Sequence, residues 1–216
     1  RHSQKLQERL IKEKAVGACS CFTTPEEEKL PEKWRKIEPL PLAAPKLCEH
    51  FQDRPELLGG ILEEIKSGRN IALVGIRGQG GVGKSEALKW LARHEDIHSH
   101  FSTVVWIQSG QDTTNLDILH QLARHAFQID FEVDFDAAKR YLEERFTAFD
   151  KKMIVFVDDV WKYEQAEIIH HLTSLAGSQM VVFSSRFKEV LPPETATKDV
   201  NVLDSGTACK LLVTLA

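Results

Sequence analysis

The feature that most constrains the fold of this chain is a glycine-rich segment at residues 78–85, with the sequence GQGGVGKS. It matches the pattern G-x-x-x-x-G-K-[ST], with a short apolar run before it at 70–76 and a helical pattern after it from Lys84 to about His94. Glycines let successive backbone N–H groups converge on one point, and the start of a helix adds partial positive charge there. The segment is therefore predicted to bind phosphate between a strand and a helix.

Two side chains of this segment supply chemistry that its backbone lacks. Lys84 offers a full positive charge to β- and γ-phosphates, and the Ser85 hydroxyl suits Mg²⁺. Glu86 follows and places an acid near the phosphates. The residues here that we expect to contact a nucleotide are Gly78, Gly80, Gly81, Val82, Gly83, Lys84, Ser85 and Glu86. The alternative interpretation is a glycine-rich turn that binds nothing.

Helix-like and strand-like segments alternate from about residue 47 onward. Strands are predicted at 70–76, 103–108, 153–158 and 179–184, with a fifth at 199–203. Helices are predicted at 54–67, at 84–94, near 114–128, 136–149 and 163–173, and in the last eleven residues. The strands are apolar along their length, which is typical of a parallel sheet covered by helices on both faces. The predicted fold class is therefore α/β.

Two consecutive acids, Asp158 and Asp159, follow four apolar residues where the strand at 153–158 should end. In an open α/β sheet, ligands bind at the carboxyl ends of the strands, so these acids are expected to face the glycine-rich loop. Asp158 is predicted to hold Mg²⁺ through water, since that small ion keeps much of its hydration. Asp159 is predicted to polarise an attacking water. The alternative is a strand-ending turn with a helix cap.

Arg186 is a third candidate, because it follows a strand expected to lie beside the strand of the glycine-rich loop. An arginine at that point can reach the γ-phosphate and report its presence. The alternative is a surface arginine.

The charge and composition of the chain exclude several classes of protein. The 216 residues carry a net charge of −4, so nothing in the bulk balance indicates nucleic-acid or membrane-surface binding. No apolar run approaches the roughly 18 residues of a membrane span. Four cysteines form no disulfide framework, and a cytoplasmic location is expected. The histidines at 94, 98 and 100 are interpreted as a solvated helix end and loop rather than a metal site.

Residues 1–46 are expected to lie outside the α/β domain. Residues 1–16 are charged and predict a short helix, whereas five prolines between 17 and 46 predict a linker or extended strap. Trp34 and Leu40 are the side chains most suited to hold this strap against the main body. Because the chain begins with Arg1 rather than methionine, we expect it to be a piece of a longer protein.

Taken together, the motifs resemble those of the NB-ARC domain of STAND-class ATPases, found in plant immune receptors (NLRs) and apoptosome-forming proteins. The resemblance spans about residues 45–216. The family's glycine-rich loop matches 78–85, and its Asp-Asp-Val-Trp matches 158–161. Its Phe…Val-Val-Trp segment matches 101–106, and its Ser/Thr-Ser/Thr-Arg matches 184–186. Its Phe-x-Gly-Arg-x-x-Glu-type segment resembles residues 51–57, with Asp53 in place of the usual glycine.

The resemblance implies a five-stranded parallel sheet of order 5-1-4-3-2 in a nucleotide-binding domain at 47–216, which lacks the family's C-terminal lobes. The strap at 17–50 would run over the nucleotide edge, with Phe51 and Arg54 on the adenine side. The implied ligands are ATP or ADP with Mg²⁺. The implied function is a switch that holds ADP at rest, self-associates after ATP exchange and is reset by slow hydrolysis. Its other implied partners are further domains of the same chain, with no nucleic acid and no membrane span.

Two other functions fit a chain with these motifs. One is a P-loop enzyme with steady turnover, such as a kinase or a remodelling ATPase, although no lid and no clear late arginine finger are evident. The other is an interaction scaffold with a vestigial site, against which the intact Lys84, Ser85 and Asp158 argue. The steady-state turnover rate distinguishes the switch, the enzyme and the scaffold.

Overall fold

The computed structural model describes residues 34–36, 42–68, 71–75, 81–177 and 179–215. Its strands are β1 Trp34–Lys36, β2 Ile71–Gly75, β3 Thr103–Gln108, β4 Ile129–Phe131, β5 Met153–Val160, β6 Gln179–Ser185 and β7 Ala196–Val200. Its helices are α1 Pro55–Lys66, α2 Lys84–Arg93, α3 Glu95–His100, α4 Asn115–Phe127, α5 Phe135–Thr147, α6 Tyr163–Ser174 and α7 Ser205–Leu215. A 3-10 turn spans Lys188–Val190. None of the described helices is long and apolar enough to span a membrane.

Five of the strands form one parallel sheet in the order β3-β5-β6-β2-β7. Numbered along the chain among these five, the order is 5-1-4-3-2, which is the order that the resemblance implies. The strand that leads into the glycine-rich loop, β2, lies between β6 and β7. The carboxyl ends of β5 and β6 are therefore next to one another and close to that loop, which is where a ligand binds in folds of this kind.

Both faces of the sheet are buried. On one face, α1, α2 and α3 pack against Trp106, Phe156 and Val182 in a continuous apolar core. The intervening residues point to the opposite face because side chains alternate along a strand. Two of these, Val155 and Phe183, are fully buried, and α4 contacts β3 while α6 contacts β5 and β6. The predicted sheet with helices on both faces is confirmed, and each large buried side chain contributes about 1.5–3 kcal/mol.

A second sheet, with two strands, is formed by β1 and β4. β1 pairs antiparallel with β4, with Trp34 opposite Phe131. The Trp34 ring is buried, 4.5 Å from the Phe131 ring and 3.9 Å from the Tyr141 ring between centroids. The predicted attachment through Trp34 is confirmed. Leu40 and the helix predicted at 1–16 lie outside the described residues.

The open edge of β3 is partly closed by a side chain from α4. The Gln108 N–H donates to Gln121 Oε1 at 2.8 Å, and Gln121 Nε2 donates to the Gln108 carbonyl at 3.0 Å. The amide of Gln121 thus makes the pair of hydrogen bonds that a neighbouring strand would make at this residue. The helix that carries it begins with a capping box between Thr114 and Asp117.

The short strands β1 and β4 were not predicted as strands, and three elements of the parallel sheet and its flanking helices also differ from the sequence prediction. The last strand is Ala196–Val200, so the prediction of 199–203 was displaced by three residues. The short helix Glu95–His100 was not predicted, because its sequence EDIHSH buries only Ile97 and shows no helical periodicity. The strand β5 continues to Val160 and does not end at Asp158, which changes how the two acids are presented.

Candidate nucleotide-binding site

The glycine-rich loop enters α2 through two left-handed residues. Gly81 has φ +80° and Gly83 has φ +93°, a region of backbone conformation that side chains disfavour. A Cβ atom at Gly83 would also lie 3.2 Å from Arg54 Nη2. The positive φ therefore requires glycine here, and a side chain would in addition press on Arg54. Gly78 and Gly80 lie outside the described residues.

Lys84 and Ser85 begin α2, so both lie at the positive end of the helix dipole. Lys84 is only 9% exposed. Burial lowers the pKa of its ammonium, as does the positive charge of Arg186, whereas Asp159 and Asp158 raise it. Lys84 thus lies within electrostatic reach of all three predicted residues at the ends of β5 and β6.

Asp158 is brought to the start of α2, as predicted from the sequence. The Ser85 hydroxyl donates to Asp158 Oδ1 at 2.9 Å, and the Ser184 hydroxyl donates to the same oxygen at 2.5 Å. Asp158 is 5% exposed and Ser184 1% exposed, so these two side chains are nearly closed to solvent, whereas Ser85 is half-buried. A hydroxyl and a carboxylate are hard oxygen ligands, which fit Mg²⁺ when phosphate and water complete its shell. Among the described residues, no three His, Cys, Asp or Glu side chains form a metal site alone.

Asp159 is separated from Asp158 by an irregularity in the strand. The pairing between β5 and β6 shifts register between Val157 and Val160, as in a β-bulge. Asp159 has φ +59°, and its N–H donates to the Ser184 hydroxyl at 2.9 Å. Because of the bulge, the two adjacent acids both lie at the same edge of the sheet. Asp158 is buried there, and the Asp159 side chain is about one-third exposed.

Arg186 directly follows β6, which pairs with β2 as predicted. Its Nε lies 3.9 Å from Asp159 Oδ1, and its guanidinium lies over the Trp161 ring, 5.0 Å from the centroid. The indole Nε1–H of Trp161 donates to Asp159 Oδ2 at 2.8 Å. The predicted arginine and acid therefore lie together, with an aromatic ring that contacts both.

An apolar cavity of about 480 Å³ adjoins the described end of the loop, residues 81–83. It is lined by Phe51, Leu58, Val82, Ala87, Leu203 and Leu211, among others. Arg54 also lines the cavity, but its guanidinium donates to the backbone carbonyls of Val82 and Asn201, each at 2.7 Å. Burial lowers the pKa of Arg54. Arg54 thus ties the glycine-rich loop to the end of β7.

Glu86 lines the same cavity but is held by protein groups. Its carboxylate accepts from the backbone N–H of Cys48 at 2.9 Å and from Lys89 at 2.6 Å. Burial raises the pKa of Glu86, but the hydrogen bonds from Lys89 and Cys48 outweigh it and leave the pKa below its ordinary value. Glu86 therefore fastens the segment before α1 onto α2.

Sequence reasoning did not identify the roles of Ser184, Trp161 and Gln165. Gln165 is 1% exposed and accepts from the backbone N–H groups of Trp161 and Lys162. Its amide donates to the carbonyls of Gly110 and Thr113, at 2.8 and 2.9 Å. A buried polar side chain six residues after the second acid is weak evidence in sequence alone. Its contacts span more than fifty residues of chain.

The sheet order, the glycine-rich entry into a helix and the carboxylate facing it define a P-loop NTPase-like α/β protein. A solved structure of Drosophila ORC bound to DNA shares this fold, with 13% identity and a TM-score of 0.54 over 99% of this chain and 58% of that one. The NB-ARC domain family matches residues 54–215, and the chain belongs to that family.

The curated relatives are plant disease resistance proteins. Disease resistance protein RPP8 of Arabidopsis thaliana is 30% identical over 167 residues, covering 74% of this chain and 18% of that protein. Probable disease resistance protein RF45 of the same plant is 27% identical over 140 residues, covering 62% of this chain and 13% of that protein. A STAND protein with a tetratricopeptide repeat sensor from Pyrococcus horikoshii is 16% identical, with a TM-score of 0.46 over 82% of this chain and 27% of that one. The chain spans less than a fifth of these curated relatives.

Proposed function

We propose that this domain binds ATP and ADP with Mg²⁺ and acts as the nucleotide switch of an NLR-like signalling protein. The observation that carries the proposal is the 2.9 Å hydrogen bond between Ser85 Oγ and Asp158 Oδ1. It joins the start of α2 to the end of β5, so the two predicted Mg²⁺ ligands share one site. A vestigial site has no reason to keep a nearly buried carboxylate within reach of a nearly buried lysine.

Different residues bind the phosphates, the Mg²⁺ and the adenine ring of the nucleotide. The loop at 78–83 and the first turn of α2 hold the phosphates through backbone N–H groups, and Lys84 neutralises their charge. Bound Mg²⁺ would be held by Ser85 and Asp158 and would neutralise charge on the phosphates. The adenine ring enters the apolar cavity beside Phe51, which supports the predicted adenine side of the site.

Asp159 and Arg186 act at the γ-phosphate end. Asp159 orients a water molecule for attack, and Arg186 stabilises the charge that develops on the transferred group. The chemistry requires only positioning and charge neutralisation, which these residues can supply. A switch needs no fast turnover, so slow hydrolysis is enough to reset it.

In the longer protein, ADP marks the resting state and ATP exchange permits self-association. Membership of the NB-ARC family and the plant disease resistance relatives support this proposed switch and a cytoplasmic location. The partners are further domains of the same chain and other copies of it. A slow steady-state turnover rate would distinguish this switch from an enzyme with steady turnover.

The test is the affinity for Mg²⁺·ADP of the Lys84→Ala variant, measured by calorimetry. Loss of a charge-assisted contact worth about 1.5–3 kcal/mol should weaken binding roughly ten- to a hundred-fold. Lys139→Ala is the matched control, because Lys139 lies on α5 and pairs with Glu143 at 3.9 Å. Equal affinity in the Lys84→Ala and Lys139→Ala proteins would show that the loop is not the nucleotide site. Chromatography of any nucleotide released on denaturation identifies the bound base.

A further inference from the structure

Three side chains beside the proposed γ-phosphate position form one charged and aromatic cluster: Asp159, Trp161 and Arg186. The two oxygens of the Asp159 carboxylate have different neighbours. Oδ2 accepts from the Trp161 indole N–H at 2.8 Å, and Oδ1 faces Arg186 Nε at 3.9 Å. The Arg186 guanidinium lies over the Trp161 ring, 5.0 Å from its centroid, within range of a cation–π interaction. Trp161 therefore contacts both charged groups.

Trp161 is held at its backbone and at its ring. Its backbone N–H donates to Gln165 Oε1 at 3.0 Å, and Gln165 is itself held by the carbonyls of Gly110 and Thr113. Its ring packs edge to face on Phe187, with centroids 5.9 Å apart. A side chain anchored in this way can hold a mobile charged neighbour in one position.

Asp159 needs such support because its backbone is strained. A φ of +59° is costly for a residue other than glycine, and such strain persists only where surrounding contacts enforce it. The Ser184 hydroxyl holds the Asp159 N–H, and the Trp161 indole holds the carboxylate. Without the indole, the carboxylate is free to turn and pair directly with Arg186.

We propose that Trp161 is a positioning residue that orients the Asp159 carboxylate and provides the resting place of the Arg186 guanidinium. This inference rests on the proposed function, in which Asp159 orients water and Arg186 meets the γ-phosphate. Trp161 keeps Arg186 Nε 3.9 Å from Asp159 Oδ1, so that the carboxylate can orient water and the guanidinium can meet the γ-phosphate. A γ-phosphate draws Arg186 off the ring, whereas ADP leaves it there.

The first test follows the indole N–H signals of the chain, which contains four tryptophans, in proton–nitrogen correlation spectra. The Trp161 signal is identified by its loss in Trp161→Phe, and Trp90→Phe is the matched control because Trp90 lies on α2 beside His94. In Asp159→Ala the Trp161 signal should shift upfield by more than the other three, because its acceptor is gone. An unmoved Trp161 signal overturns the proposal whether or not the chain hydrolyses ATP.

The second test adds nucleotide. Mg²⁺ with a non-hydrolysable ATP analogue should move the Trp161 signal further than Mg²⁺·ADP, and Arg186→Ala should abolish that difference. Equal shifts with the two nucleotides, when a rise in Tm shows that both bind, overturn the role of the ring as a resting place. If neither nucleotide raises Tm, the proposed function fails, and the Asp159→Ala spectrum alone decides the indole contact.

The third test measures single-turnover hydrolysis. Trp161→Phe keeps an aromatic ring but loses the N–H, so the rate should fall about 10- to 100-fold while ADP affinity is retained. In an Asp159→Ala background, Trp161→Phe should lower the rate no further, because the residue acts through that carboxylate. An equal loss in both backgrounds, or an unchanged rate in Trp161→Phe, contradicts the positioning role.

Discussion

Removal of one buried hydroxyl, in Ser184→Ala, should destabilise the domain more than the loss of an exposed serine hydroxyl. The Ser184 hydroxyl donates to Asp158 Oδ1 at 2.5 Å and accepts from the Asp159 N–H at 2.9 Å. A hydrogen bond to a carboxylate contributes about 1.5–3 kcal/mol, and one from a neutral N–H about 1 kcal/mol. The free energy of unfolding should therefore fall by about 2.5–4 kcal/mol, a large part of a typical domain's stability.

The assay is reversible unfolding in urea, with thermal unfolding as a second measure. For a domain of this size, the expected loss lowers Tm by roughly 5–15 °C. Ser174→Ala is the control, because the exposed Ser174 hydroxyl makes one bond, to the His171 carbonyl at 2.7 Å. That change should cost less than about 1 kcal/mol.

A double-mutant cycle tests the assignment of the energy to Asp158. In an Asp158→Ala background, Ser184→Ala should cost at least about 1 kcal/mol less than it does in the unsubstituted chain. Strictly additive losses would refute the reasoning, since they would mean that the hydroxyl and the carboxylate do not stabilise one another. A loss no greater than that of Ser174→Ala would refute it as well.

Three further predictions concern nucleotide and pH. Asp158→Ala should abolish the Mg²⁺ dependence of nucleotide binding, which calorimetry measures. Asp159→Ala should keep ATP bound but lower the rate of its hydrolysis, which is measured by phosphate release. Hydrolysis at the unsubstituted rate in Asp159→Ala would count against the role of Asp159 in orienting water. ADP and ATP should bind more tightly than GDP and GTP in calorimetric titrations, and equal affinities would contradict an adenine-selective cavity. Burial lowers the pKa of His125 below its ordinary 6.5, so the unfolded state binds more protons between the folded pKa and 6.5. Stability should therefore fall as pH drops through that window, and a Tm profile from about pH 7.5 to 5.5 that is no flatter in His125→Asn would contradict this.

The central strands were predictable because burial on both faces leaves a continuous apolar run. The strand β3 was predicted at its observed bounds, and the acids after Val157 were expected at the correct edge of the sheet. The edge strand β7, with the sequence ATKDV, pairs only with β2 and is polar for most of its length. The apolar residues that follow this strand therefore led to a predicted strand three residues too far along the chain.

The rest of the site depends on contacts between distant parts of the chain. Arg54 reaches carbonyls 28 and 147 residues away, and the Ser184 hydroxyl reaches an acid 26 residues earlier. The bulge that separates Asp158 from Asp159 exists only relative to the neighbouring strand. A sequence pattern shows which residue types are present, but these pairings follow from the order of the strands.

The Gln121 amide at the edge of β3 bears on how copies of this domain can meet. An uncovered edge strand offers its backbone to any extended segment, which is a common route to disordered aggregation. Here one helix side chain already occupies both the N–H and the carbonyl of Gln108. An incoming strand must first displace that amide to pair at this residue. The Gln121 amide therefore protects the edge of β3 from strand addition at its carboxyl end.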